Sequence, residues 1–154
     1  FFYIDEKEGT DTMEEDLKKL YDEGKKAFGF YCGKGEWFLL TLKNIDFMSQ
    51  MLPNVSKASQ SLDVSVLHTL ILEKIFGIDK ENMAKQINLT YTKFFTEAID
   101  GVDKGEFQCS FVLNPTRVTE IRDVAAAGEK MPQKSTYFYP KMITGMVMNN
   151  LGVD

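Results

Sequence analysis

At 154 residues the chain has the length of one globular domain and enough side-chain bulk to bury a core, and its 44% hydrophobic and 27% charged content matches ordinary soluble proteins. A formal net charge of −5 has the wrong sign for holding a phosphodiester backbone, so nucleic acid is excluded as the default partner. No run is long and apolar enough to span a membrane and no basic-then-apolar leader opens the chain, so the cytoplasm is the expected compartment and no membrane partner is expected.

Cys32 and Cys109 stand in separate strand-like segments and are expected to be reduced thiols. With a single histidine beside them, the chain lacks the ligands of an ordinary zinc cage, and no metal is expected. Nothing in the composition names a cofactor.

In chain order, Phe1 to Asp5 is predicted to be a strand. Because this apolar run opens the chain without a methionine, residues 1–154 are expected to form a single domain, the C-terminal fragment of a longer protein. Thr12, with Glu15 three residues on, predicts a capping box and a helix whose Met13, Leu17, Leu20 and Tyr21 share one face. Ala27 to Cys32 and Glu36 to Lys43 predict a hairpin joined by Gly33-Lys34-Gly35, with Trp37 in the core rather than at a ligand. Asn44 to Gln60, around Pro53, fits a short helix or a loop equally well.

Asp63 to Phe76 is the clearest predicted helix, capped by Asp63 and ended by Gly77. It is apolar almost all round, apart from a narrow stripe of Ser65, Thr69 and Glu73 and the lone His68. A strand over Ile87–Thr92, a helix over Phe94–Val102 and a strand over Phe107–Leu113 follow. Asn114 and Pro115 predict the start of a further helix, closed by Gly128, and the last strands are expected at Tyr137–Tyr139 and Met142–Met148. This order implies an α+β fold, a mixed or antiparallel sheet with helices packed on it.

His68 is the weak catalytic candidate, since its unperturbed pKa lies near neutrality, although a hydrogen-bonded core histidine is the commoner arrangement. Gly128 to Ser135 is one residue from a phosphate-binding P-loop, but Gln133 stands where the second glycine belongs, and a helix precedes it where a strand is required. A simpler anion site remains, with Lys134 as point charge and Ser135 and Thr136 as hydroxyl donors; the plain alternative is a turn with a solvated lysine.

Phe28-Gly-Phe-Tyr31, Leu62-Asp-Val-Ser-Val-Leu-His-Thr-Leu-Ile71, Phe111-Val-Leu-Asn-Pro-Thr116 and Ala127-Gly-Glu-Lys-Met-Pro-Gln-Lys-Ser-Thr-Tyr-Phe-Tyr-Pro-Lys141 occur in this order. With these segments the chain resembles, over nearly its whole length, the C-terminal part of the family called domain of unknown function 1015. That family has no established activity; it has been linked to the ParB-like group and often lies beside serine-biosynthesis genes. The resemblance therefore implies serine or phosphoserine chemistry, a small anionic ligand, and an N-terminal part as packing partner. It makes Asp63, His68, Lys134, Ser135, Thr136, Tyr137 and Lys141 the local candidates, with Lys134, Ser135, Thr136, Tyr137 and Lys141 as ligand-binding residues. Two function classes follow: a domain of a small-molecule enzyme handling phosphate esters, or a non-catalytic structural or interaction domain.

Overall fold

Alternation of side chains along two adjacent strands organises the molecule. In this computed structural model, which describes residues 1–137, β2 (Ala27–Gly33) and β3 (Glu36–Leu42) form an antiparallel hairpin. Successive strand residues point to opposite sides, so the two strands serve two separate cores. Phe28 and Leu40 enter one apolar cluster, while Ala27, Tyr31, Trp37 and Leu39 enter the other. The connecting turn has φ of 102° at Gly33, 58° at Lys34 and 78° at Gly35, a left-handed run that glycine makes accessible.

β1 (Phe2–Glu8) pairs with β3 on one side, and β4 (Ser110–Val112) pairs with β2 on the other. The sheet order is β1-β3-β2-β4, all antiparallel, which gives the α+β fold. On one face lie α1 (Met13–Asp22) and α6 (Phe95–Asp103), through Met13, Leu17, Ile99 and Val102. α1 lies so close to β2 that a Cβ on Gly29 would stand 2.8 Å from Met13 Sδ. Trp37 is fully buried here and donates its ring N–H to the Gly9 carbonyl at 2.8 Å.

The opposite face carries α4 (Asp63–Val66), which continues as a π-helical stretch, Leu67–Glu73. Val66, Leu70 and Ile71 are essentially inaccessible and pack with Phe28 and Leu40 of the sheet. Nearly every residue from Leu62 to Leu72 is buried, as an all-round apolar helix requires, and the run frays at exposed Ile75 and Phe76. The two short helices α2 (Asp46–Met51) and α3 (Lys57–Gln60) flank Pro53, while α5 (Lys80–Lys85) and α7 (Val118–Ala126) complete the described elements.

Several sequence expectations are corrected. Thr12 holds the N-cap position of α1, but its hydroxyl makes no capping hydrogen bond. Asp63 is the first residue of α4 rather than its cap, because its carboxylate turns to Lys26 instead. No strand forms over Ile87–Thr92: Leu89 is taken up by the core and Tyr91 by a cavity, so no row of side chains is left for a sheet. The last helix begins at Val118, not beside Asn114, whose side-chain amide donates to the Leu17 carbonyl at 3.1 Å and ties the loop to α1. Its first turn is instead held by the Arg117 amide donating to Glu120 Oε2 at 2.9 Å. Tyr137 is in no strand, and the rest of the expected Tyr137–Tyr139 and Met142–Met148 strands lies outside the described residues.

Truncating the buried helix should therefore be costly. Leu70→Ala or Ile71→Ala is expected to lower unfolding free energy by about 2 to 5 kcal/mol in urea titrations, whereas Ile75→Ala should change it by no more than about 0.5 kcal/mol.

Candidate functional site

The polar stripe of the buried helix is where the chain leaves room. A cavity of about 510 Å³ opens over Ser65, His68, Thr69 and Glu73. Residues four and five apart share a face once the helix winds with the five-residue hydrogen-bond spacing of a π-helix, and this brings His68 and Glu73 to the same opening. α5 supplies one wall with Lys80, Met83 and Ala84, and Tyr91 closes beside it. The segment Glu129 to Gln133 supplies the other wall through Glu129, Lys130, Pro132 and Gln133.

That second wall is pinned by a carboxylate. Glu129 Oε1 accepts the Ser56 amide at 2.7 Å, and Oε2 accepts the Ser56 hydroxyl at 2.7 Å and the Ser59 hydroxyl. The Ser56 hydroxyl also accepts the Ser59 amide at 3.2 Å, so the start of α3 and the 129–133 segment share one network. The serine hydroxyls, then the Ser56 amide, hold the Glu129 carboxyl below its ordinary value. Behind this wall, Gln60 is buried and fully engaged, donating to the Leu52 and Val55 carbonyls at 2.8 Å each and accepting from Ser49 at 2.9 Å.

His68 sits half-buried in the cavity lining, its ring edge-on to Tyr91 with centroids 6.4 Å apart. The expected hydrogen bond is not present at Nε2, which is buried and has no partner among the described residues. Burial alone pushes its pKa down, so the ring favours its neutral form, and burial likewise raises the Tyr91 phenol.

The other candidates lie around this opening or away from it. Gln133 lines the cavity, and Lys134 follows it in a turn with φ of 60°. The Ser135 hydroxyl donates to the Pro132 carbonyl at 2.6 Å and its amide to the same oxygen at 3.3 Å, so it closes the turn. Its carbonyl accepts the Thr116 hydroxyl at 2.9 Å, while Thr136 is exposed. The exposed Tyr137 accepts a hydrogen bond from Lys93 Nζ at 3.0 Å. Lys141 lies outside the described residues.

Asp63 belongs to a different cluster, at the far end of the same helix. Lys26 Nζ stands 2.8 Å from Asp63 Oδ1 and 3.5 Å from Glu120 Oε1. The contact at Oδ1 is an ion pair, and Oδ2 has no partner among the described residues. Burial raises the Asp63 pKa and Lys26 opposes that rise. Tyr21 donates to Glu120 Oε2 at 2.7 Å, and burial followed by this bond raises its phenol.

Sequence reasoning passed over Glu129, Lys130, Lys80 and Tyr91. The signal for the cavity was present in the Ser65, Thr69, Glu73 stripe next to His68, because a polar stripe on an otherwise buried helix must meet water or a ligand. The two-serine clasp on Glu129 joins residues about seventy apart and leaves no local pattern.

Compared with protein-family models, curated proteins and solved structures, the chain matches none. Among the described residues no cluster of histidine, cysteine and acidic side chains could hold a metal ion, and no helix is long and apolar enough to cross a membrane.

Two pH responses follow. His68 has a folded pKa below 6.5, so the unfolded chain binds more protons there and stability should fall as pH drops below about 6.5, an effect removed in His68→Asn thermal melts. Glu129 has a folded pKa below 4.5, so its contribution is present above that value and is lost as pH falls further; Glu129→Gln should flatten this acid limb.

Proposed function

We propose that this domain forms part of a small-molecule enzyme handling phosphate esters, with serine or phosphoserine as the substrate class, and that its ligand occupies the cavity over His68. The observation that carries this reading is that one cavity joins His68 to the start of the Met131–Lys141 motif through Pro132 and Gln133. Lys80 and Lys130 bring ammonium groups to the same walls, suited to phosphate or carboxylate oxygens, and Glu73 brings a carboxylate suited to an amine. A zwitterionic phosphate ester offers all three complements. His68, favoured in its neutral form by burial, is suited to accept a hydrogen bond or a proton from a ligand hydroxyl. Lys134 serves as an outer cation at the turn that follows Gln133, with the exposed Thr136 nearby in sequence.

A second reading, an interaction domain packing on a partner such as an N-terminal part of a longer chain, is favoured by one apolar surface. Phe30 and Phe111 stack with centroids 4.8 Å apart, and the exposed Phe76 packs edge-on against Phe111. Ile75 beside it is 60% exposed.

Calorimetric titration with O-phosphoserine, serine and inorganic phosphate separates the two. Phosphoserine is expected to bind most tightly, and Lys130→Ala should weaken it about tenfold, equivalent to about 1.4 kcal/mol, with an unchanged circular dichroism spectrum. Lys134→Ala should weaken it less, since an outer lysine is screened by solvent. Absence of heat with all three compounds, in a protein whose Phe76→Ser variant gains solubility, would sink the ligand reading in favour of the interaction domain.

A further inference from the structure

The two cysteines are far apart in sequence, but strand pairing brings them to one place. β2 and β4 pair antiparallel with Gly29 opposite Val112, Phe30 opposite Phe111 and Tyr31 opposite Ser110. The paired register ends at Tyr31 and Ser110, and Cys32 and Cys109 are the next residue beyond it on each side. The strands are close at this end, because the Phe30 and Phe111 rings, two residues back along each strand, stack at 4.8 Å. Residues directly opposite in an antiparallel pair have Cα atoms about 4.5 to 5.5 Å apart. A disulfide spans Cα separations of about 4.4 to 6.8 Å, so the bridge can close without moving the backbone far.

Local structure leaves both side chains available. The β2–β3 register slips between Tyr31 and Gly33, and Cys32 has no Cα partner on β3. Cys32 is exposed and Cys109 half-buried, and both are free thiols. Burial raises both thiol pKa values, and negative charge on Cys32 adds to the rise at Cys109. Glu36 adds a smaller rise at Cys32.

We propose that Cys32 and Cys109 form a reversible cross-strand disulfide, with a low-molecular-weight disulfide such as oxidised glutathione as the oxidant. Cys32, the more accessible, attacks the glutathione disulfide as its thiolate; a Cys32–glutathione bond forms, the glutathione S–S bond breaks, and one glutathione leaves as thiolate. Cys109 Sγ, deprotonated in turn, attacks Cys32 Sγ and expels the second glutathione. Two protein thiols are oxidised, one glutathione disulfide is reduced to two thiols, and the two protons lost by the cysteines end on glutathione or solvent. The bridge ties the β2–β3 hairpin tip to β4. That tip is already linked to the end of α6, where Asp103 Oδ1 accepts the Tyr31 hydroxyl at 2.6 Å and the Lys34 amide at 3.2 Å.

The test is to incubate the chain with excess oxidised glutathione at about pH 8.5, near the ordinary thiol pKa, and to read intact mass and free thiols after denaturation. The expected result is loss of both thiols, a mass lower by two hydrogens, no retained glutathione and a monomer on non-reducing gels, all reversed by dithiothreitol. Cys109→Ser should stop at the mixed disulfide and carry one glutathione on Cys32. Wild-type protein that keeps glutathione on either cysteine, that forms disulfide-linked dimers, or whose thiols stay unreacted would overturn the proposal.

Discussion

Packing of the Leu62–Leu72 run against the Phe28 and Leu40 face of the sheet is the contact on which the rest of the structure depends. It buries a helix on nearly every side, and so it dictates where the few polar side chains of that helix can go. Asp63 at one end is answered by Lys26 from the start of β2. Ser65, Thr69 and Glu73 line the cavity instead, with His68 among them. A single burial event thus sets the core and positions the candidate site.

The cavity is closed by a second, polar constraint. Glu129 collects three hydrogen bonds from Ser56 and Ser59, which fixes the segment leading into the Met131–Lys141 motif against α3. Hydrogen bonds to an ionised acceptor are stronger than neutral ones, so this clasp holds the wall together with the packing of Met131 on the Leu62, Val64 and Val124 cluster. The opposite wall, α5 with Tyr91, is held mainly by Met83 and Leu89 entering the core. The Glu129 wall is therefore sensitive to charge as well as to packing, and the α5 wall mainly to packing.

Much of the fold was legible because it follows from local periodicity. The two-residue alternation over Ala27–Cys32 and Glu36–Lys43 predicts the hairpin that the structure contains, and the glycine pair predicts its left-handed turn. The apolar run after Leu62 predicts the central helix. What was not legible depends on partners distant in sequence. Asn114 reads as a helix cap until Leu17 is seen to claim its amide, and Ile87–Thr92 reads as a strand until Leu89 and Tyr91 are seen to go separate ways. His68 was legible as a candidate, whereas the residues gathered around it from α5 and from the 129–133 segment were not.

The π-helical winding of Leu67–Glu73 has a consequence for how such a site can change. A wide turn holds more chain per revolution than a regular helix, so removing one residue inside it would restore ordinary α winding without unfolding the helix. The residue removed and the tighter winding would offset each other, so everything beyond the deletion would keep its bearing relative to Ser65. Glu73 would stay at the cavity with Ser65, and the mouth would keep its carboxylate although the helix had lost a residue. In this scaffold the wide turn is a place where the chain can change length and leave the chemistry of the opening as it was.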